Sequence, residues 1–355
     1  MDVAVGQLTA DEGPLPLQKI GQGFCGTVWA SLCRSVYDEP RVVIKREDGG
    51  PGRSILLEYL IHLHLLAMVD AERRDGARAR PGVNIPFCEG LLGKDSTDWP
   101  RILPRLPPSF EPCNALVNER IPPMPDRVCE LLYRTYHPEG SLAVAPTEQN
   151  CLVRPYLGRR RYNAQLTAER TRPGRLLVFS LRNYPLHIDQ MEELGLPAAE
   201  YAVTMADALA FLHWTAKLDG NDVEFVLAPA RPATTATSSR RREDVDEFQS
   251  ESFGVHTMWL LDFDCCGRMT MDEDGVKRAA RRFLRNDPFY PKPGGTNDAD
   301  VRLWRTFRER FMETSEWILQ GKGEQLRRLP AMLIDEITRS SYRDDERGDP
   351  AQTLT

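Results

Sequence analysis

Two groups of carboxylates flank short apolar runs in the second half of the chain. The stretch "LDGNDVEFVLAP" carries Asp219, Asp222 and Glu224, and "MWLLDFD" ends with Asp262 and Asp264. Because side chains alternate along a strand, Asp222 and Glu224 are predicted to share one face. If the two runs pair as neighbouring strands, Asp262 will lie close to these two carboxylates. Such a set can bind a divalent metal, hold a guanidinium or simply face solvent.

A glycine-rich stretch near the N-terminus could cover an anionic ligand. "IGQGFCGTVWA" places Gly21, Gly23 and Gly26 in the pattern G-x-G-x-x-G-x-V-x-A, in which glycines let the backbone turn tightly over phosphates. Lys45 follows in the apolar run "VVIK", and Glu58 lies in the next helical pattern, where a partner for Lys45 is expected.

The order of these residues resembles the protein-kinase-like fold from about residue 15 to 320. The resemblance implies an α+β, bilobal fold with a β-rich N-terminal lobe and a mainly helical C-terminal lobe. The catalytic loop departs from the kinase pattern, because Lys217 stands where the catalytic base belongs and Asp264 replaces the glycine of D-F-G. We therefore expect no phosphoryl transfer from ATP.

The resemblance to the protein-kinase-like fold also divides the chain into segments. We predict a tail at 1–14, the N-lobe at 15–121, the C-lobe at 122–339 with a flexible insertion at 229–252, and a disordered tail at 340–355. The helical pattern that begins after Ser54 is apolar nearly all round, so this helix is predicted to be largely buried.

Composition limits the classes of protein and partner. The 355 residues carry a net charge of −6 and contain no apolar run of 18 residues, so a membrane span and a uniformly basic surface are both excluded. The N-terminus lacks the features of a secretory signal, and we expect a cytoplasmic protein. The eight cysteines form no C-x-x-C pair, so neither a zinc site nor a disulfide framework is predicted.

An arginine-rich segment is the one strongly basic stretch. Eight arginines and a single acid lie between Arg154 and Arg182, with two tyrosines among them. The segment is either a face that follows the phosphates of a nucleic acid or a solvated loop, and the sequence leaves both interpretations open.

The region from "LRNYPLHIDQMEELGL" through "DALAFLHWTAKLDGNDVEFVLAP" to "FLRNDPFYPKP", about Leu181–Pro293, resembles the fungal arginine-containing cyclodipeptide synthases. That resemblance implies condensation of arginine with a second amino acid, both taken from aminoacyl-tRNA, to a cyclo(Arg-Xaa) diketopiperazine. No cofactor is needed for acyl transfer from an activated ester, although Mg²⁺ is compatible. The family has also carried a zinc-finger-like label, which the cysteine spacing does not support.

The resemblance also suggests roles for the residues above. Asp219, Asp222 and Glu224 would act on the substrate's amine or guanidinium. The residues expected to contact tRNA phosphates are Arg154, Arg159, Arg160, Arg161, Arg170, Arg172 and Arg175. Two alternatives from other classes remain, namely an atypical kinase and a catalytically inactive kinase-like binding protein.

Overall fold

A computed structural model describes most of the chain. The described residues are 15–31, 42–74, 80–137, 150–161, 179–232, 245–295 and 297–347. Within them the fold is α+β, with two five-stranded sheets and eight α-helices. No described helix is both long enough and apolar enough to cross a membrane.

The N-terminal part is built on one antiparallel sheet in the order β1-β2-β3-β5-β4. Its strands are β1 (Leu17–Gln22), β2 (Thr27–Ser31), β3 (Val42–Arg46), β4 (Cys88–Leu92) and β5 (Ala115–Glu119). One face covers a separate apolar core that includes Trp29, Ile44 and Trp99. The glycine-rich stretch forms the turn between β1 and β2, as its sequence predicts.

Helix α1 (Ile55–Arg74) packs against β4 and β5. The Ser54 hydroxyl accepts a hydrogen bond from the Leu57 amide at 3.3 Å, which caps its first turn. The prediction that this helix is largely buried is wrong for one face, because Leu56 and Leu60 are 50% and 55% exposed. Apolar residues all round a helix indicate burial only where partners exist on every side.

The C-terminal part contains a second sheet in the order β7-β6-β8-β10-β9. Its strands are β6 (Val153–Tyr156), β7 (Tyr184–His187), β8 (Glu224–Ala228), β9 (Glu247–Ser250) and β10 (Gly254–Leu261). The predicted pairing of the two acidic runs is confirmed, since β8 and β10 are antiparallel with Glu224 opposite Leu261. This part is therefore less purely helical than the sequence suggested.

Helices surround the second sheet and share its core. They are α3 (Asp126–Tyr136), α4 (Ile188–Glu193), α5 (Ala198–Ala210), α6 (Glu273–Arg285), α7 (Asp298–Ile318) and α8 (Glu324–Arg347), while the short α2 (Trp99–Ile102) belongs to the N-terminal part. Helix α5 packs along α7, and a π-helical turn at Phe211–Thr215 continues α5 toward the acidic loop.

Two predicted flexible segments are ordered where the structure describes them. Strand β9 and the buried Arg231 lie within the 229–252 insertion, and α8 runs to Arg347 rather than ending at 339. Within the insertion, side chains with fixed partners outweigh a polar composition: Phe248 enters the core, and Arg231 forms an ion pair with Glu119 of β5.

Candidate active site between the two sheets

A cavity of about 280 Å³ lies between the N-terminal sheet and the loops at the ends of β8 and β10. It brings together the glycine-rich turn, β3, α1 and both acidic runs. The sequence-predicted residues that line it are Gly21, Gly23, Gly26, Lys45, Glu58, Arg154, Asp222, Glu224, Asp262 and Asp264. Residues from both halves of the chain thus meet in one cleft, as the order of the motifs predicts.

Lys45 joins the two parts of the protein. Its Nζ lies 2.8 Å from Glu58 Oε2 and 2.7 Å from Asp262 Oδ1, so the expected contact with Glu58 is present. Burial alone would lower the pKa of Lys45, but the Asp262 and Glu58 carboxylates outweigh it and raise that pKa. Lys45 therefore stays charged and links β3, α1 and the end of β10.

The glycine-rich turn is held by backbone contacts. The amides of Gly49 and Gly50 donate to the carbonyls of Cys25 and Phe24 at 3.0 and 2.8 Å. Gly26 has φ +153°, and a Cβ there would lie 2.0 Å from the Arg46 carbonyl oxygen, so the turn requires glycine at this position. Burial raises the pKa of the Cys25 thiol to about 12, so Cys25 is a packed thiol rather than a nucleophile.

Both acidic loops place a carboxylate on left-handed backbone. Asp222 and Asp262 have φ values of +62° and +64°. The expectation that Asp222 continues the strand face of Glu224 is wrong, because Asp222 lies in a turn and β8 begins at Glu224. Non-glycine residues in this conformation are strained and often mark functional sites.

Glu224 is held by an arginine of the neighbouring strand β6. Arg154 Nη2 lies 2.5 Å from both carboxylate oxygens of Glu224, and Arg154 Nη1 lies 3.4 Å from Asp287 Oδ2. Burial raises the pKa of Glu224 to about 7, although the Arg154 charge opposes this shift. A carboxyl group that titrates near neutrality can exchange protons with a ligand.

Arg53, which precedes α1, reaches across the mouth of the cleft. It donates to Asp264 Oδ1 at 2.9 Å and to Asp222 Oδ2 at 3.2 Å, and it contacts the Cys265 sulfur. Its guanidinium lies over the Phe24 ring, 5.5 Å from the centroid. Sequence reasoning missed Arg53, because nothing in its local pattern distinguishes it from other arginines.

Asp219 does not line the cleft. It is buried and accepts hydrogen bonds from the Gly267 and Asn221 amides at 2.8 and 3.2 Å, which fixes the loop after β10. Lys217, which the sequence pattern predicted to stand in the place of a kinase base, is exposed and also has left-handed backbone, with φ +57°. Asp219 thus holds the loop after β10 and is not among the residues that line the cleft.

The arginine-rich segment is only partly described. Arg154 points into the cleft, Arg160 pairs with Glu192 and Asp300, and Arg161 pairs with Asp189. These carboxylates offset the positive charge that a phosphate-binding face would need. Arg159 is exposed. Arg170, Arg172 and Arg175 lie outside the described residues.

Comparison with family models gives a match to part of the C-terminal half. Residues 258–323 match the DUF3669 family model, which is described as "Zinc finger protein". No curated protein matches the chain. The resemblance to arginine-containing cyclodipeptide synthases is therefore a wrong identification, because the matching family model is a different one and nothing supports a cyclodipeptide synthase family. The matched segment covers the second half of β10 and all of α6 and α7.

The zinc-finger description does not fit the residues present. The matched segment contains the adjacent Cys265 and Cys266 but no histidine, whereas structural zinc sites use four cysteine or histidine ligands. Among the described residues, Asp222, Asp264 and Cys265 could converge on a cation. The Arg53 guanidinium already bridges the two carboxylates, so this group is an ion-pair cluster.

Proposed function

We propose that the chain has a bilobal, protein-kinase-like fold whose interlobe cleft catalyses aminoacyl transfer. In this proposal aminoacyl-tRNA supplies activated esters, and two aminoacyl groups, one of them arginine, are joined and cyclised to a diketopiperazine. The proposal does not rest on membership of a synthase family. The observation that carries it is Glu224, a carboxyl group in the cleft that is 19% exposed, is held by Arg154 and has a pKa raised to about 7.

Glu224 suits deprotonation of an attacking amine. An α-amino group has an ordinary pKa of about 7.7–8.0, so a base that titrates near 7 is well matched to it. The Arg154 guanidinium fixes the orientation of Glu224 through both oxygens. An ester substrate already carries its leaving group, so the cleft has to position the two groups, remove a proton and stabilise an oxyanion.

The acidic cluster at the mouth of the cleft suits a guanidinium ligand. Asp222 and Asp264 already hold the Arg53 guanidinium, and Asp222 is 54% exposed. A substrate guanidinium that replaced Arg53 would meet two carboxylates and the face of Phe24. The protein's own contact thus supports arginine as one of the two amino acids.

Expression of the gene in a host that lacks it tests this function. We expect a new arginine-containing diketopiperazine in the extract, detected by mass spectrometry, and its absence from cells that express Glu224→Gln. Identical small-molecule profiles with and without the wild-type protein, when soluble protein accumulates, would contradict the proposal.

A nucleotide-binding protein without phosphoryl transfer is the second candidate. The contacts of Lys45 with Glu58 and Asp262 below a glycine-rich turn favour it, because this arrangement suits phosphate groups. Lys217 in the base position argues against transfer, since a charged lysine cannot accept a hydroxyl proton.

Labelled ATP separates phosphoryl transfer from the functions proposed here. We expect no catalytic transfer of label to protein or small-molecule acceptors, with or without Mg²⁺, because a base is missing at Lys217. This prediction is refuted if the wild-type protein transfers labelled phosphate catalytically and the Asp262→Ala variant does not. Binding of ATP without transfer would instead favour the second candidate.

A further inference from the structure

Helix α6 carries a row of cations on the side that faces away from the core. Its apolar residues, among them Val276, Ala279 and Phe283, are buried. Because an α-helix turns about 100° per residue, the cations fall within an arc of about 140° on the opposite side and span a rise of about 12 Å. They are Lys277, Arg278, Arg281, Arg282 and Arg285. Glu273 and Asp274 precede the row in the sequence, so it is less conspicuous there than the arginine-rich segment.

Two cations of the row contact the loops beside α6. Arg278 Nη2 donates a hydrogen bond to Thr270 Oγ1 at 2.9 Å, and Arg282 Nε lies 3.9 Å from Asp219 Oδ2. Thr270 belongs to the loop after β10 and also donates to Asp272, which places one exposed carboxylate near Arg278. Asp219 belongs to the loop that precedes β8. The row of cations therefore lies against both loops.

The same two loops add two further cations. The Met269 amide donates to the Lys217 carbonyl oxygen at 2.8 Å, and Leu218 pairs with Arg268 in an isolated β-bridge. Lys217 and Arg268 thus lie on adjoining backbone segments, and both side chains are exposed. We call the surface formed by these two residues and the cations of α6 the basic face.

Carboxylates offset only a part of the charge of the basic face. Lys277 pairs with Glu273 at 2.7 Å, and Asp219 is the acidic neighbour of Arg282. The other cations of the basic face form no ion pair with any residue that the structure describes. In the arginine-rich segment, by contrast, Arg160 is held between two carboxylates. The basic face is therefore positively charged in a protein whose net charge is −6.

The C-terminal end of α6 adjoins the mouth of the cleft. Asn286, which follows Arg285, donates from Nδ2 to the Gly220 carbonyl oxygen at 2.9 Å, and its Oδ1 accepts from the Asp222 amide at 2.8 Å. Asp222 lines the cleft. A polyanion bound along the basic face would therefore lie next to the opening of the cleft.

We propose that the basic face binds the phosphate backbone of an RNA whose end enters the cleft. Guanidinium groups suit this role, because their planar fork matches the oxygens of a phosphate. An anionic membrane suits the face less. Among the described residues of α6 and the two loops no large apolar side chain is exposed, whereas membrane-surface helices insert such side chains. The choice of RNA rests on the proposed function, in which this RNA is the tRNA that carries the ester.

Salt-dependent binding of uncharged tRNA tests the basic face without any need for turnover. Fluorescence anisotropy with labelled bulk tRNA gives the affinity of the full chain between about 50 and 200 mM salt. Arg281→Gln/Arg285→Gln removes two exposed charges and keeps good helix formers. We expect this variant to bind tRNA at least about tenfold more weakly at the lowest salt concentration. The slope of log affinity against log salt should fall by about 1.5, since each phosphate contact contributes about 0.7–0.9.

Lys94→Gln/Arg101→Gln is the matched control. Both residues are exposed cations of the N-terminal part, outside the cleft lining, and this double variant changes the net charge by the same amount. Binding that reflects only the total charge of the protein would be weakened equally by the two double variants. We expect the control to bind tRNA within about twofold of wild type. Both variants should melt within roughly 2 °C of wild type, because the substitutions lie on the surface.

Three results would overturn the basic face as an RNA site. They are the absence of tRNA binding by the wild type, equal loss of binding in the two double variants, and undiminished binding in Arg281→Gln/Arg285→Gln. Phosphatidylserine vesicles that bind the wild type but not Arg281→Gln/Arg285→Gln, when tRNA binds neither, would assign the face to a membrane instead. Selective loss of tRNA binding in Arg281→Gln/Arg285→Gln, when the wild type makes no diketopiperazine, would refute the proposed function and leave the basic face standing.

Discussion

Glu224→Gln is expected to lower the rate of product formation by at least about a hundredfold, because general-base catalysis contributes factors of roughly 10²–10⁴. Glutamine keeps the size of the side chain but cannot take a proton. The wild-type rate should rise with pH through about 7, as Glu224 ionises, and the residual rate of the variant should lack this limb. The measurement is the rate of diketopiperazine formation across pH 5.5–8.5.

Two controls separate catalysis from folding. Asp287→Asn changes the other carboxylate near Arg154, which is half-exposed and outside the cleft lining, so activity should stay within about tenfold of wild type. Glu224→Gln leaves the Arg154 guanidinium without a charged partner in Glu224. The double variant Glu224→Gln/Arg154→Met removes this unpaired positive charge as well. Full activity in Glu224→Gln would show that this carboxylate is structural and that the chemistry lies elsewhere.

Arg231→Met is expected to cost about 3–5 kcal/mol of unfolding free energy, because it leaves the Glu119 carboxylate without its buried partner. Arg231 donates to both oxygens of Glu119 at 2.5 and 2.7 Å, and its guanidinium lies 4.1 and 5.0 Å from the ring centroids of Phe87 and Trp259. It joins β5 of the first sheet to the second sheet and so fixes the wall of the cleft. Urea unfolding of wild type and variant measures the loss.

A surface arginine provides the control for Arg231. Arg328 pairs with Glu324 one turn away on α8, and its side chain is 71% exposed. Arg328→Met should therefore change the unfolding free energy by less than about 1 kcal/mol. Equal effects of the two substitutions would show that the ion pair between Arg231 and Glu119 does not stabilise the junction of the two sheets.

Local sequence patterns correctly predicted the positions of those cleft residues that lie on strands and helices. Lys45 is on a strand next to the glycine-rich turn, and Glu58 is on the following helix, so the sequence fixes both positions within a few residues. The pairing of β8 with β10 agrees with the expectation that the two acidic runs meet in one cleft, which rested on the order of the motifs. These predictions succeeded because each depends on short-range chemistry.

The partners of the acidic residues could not be predicted in this way. Arg53 contacts Asp222 and Arg154 contacts Glu224 across long stretches of chain, and no periodic pattern encodes such pairs. Asp219 looked equivalent to Asp222 in the sequence, yet a loop contact with Gly267 buries it.

A reconstituted reaction tests the central claim most directly. Purified protein is mixed with arginine, each partner amino acid in turn, ATP, the two matching aminoacyl-tRNA synthetases and tRNA, and RNase is added to half of the samples before the protein. We predict an arginine-containing diketopiperazine that requires tRNA, disappears with RNase and falls at least about a hundredfold with Glu224→Gln. Two results would contradict aminoacyl transfer in this cleft. One is product formation from free amino acids and ATP after RNase treatment, and the other is the absence of product with every partner amino acid.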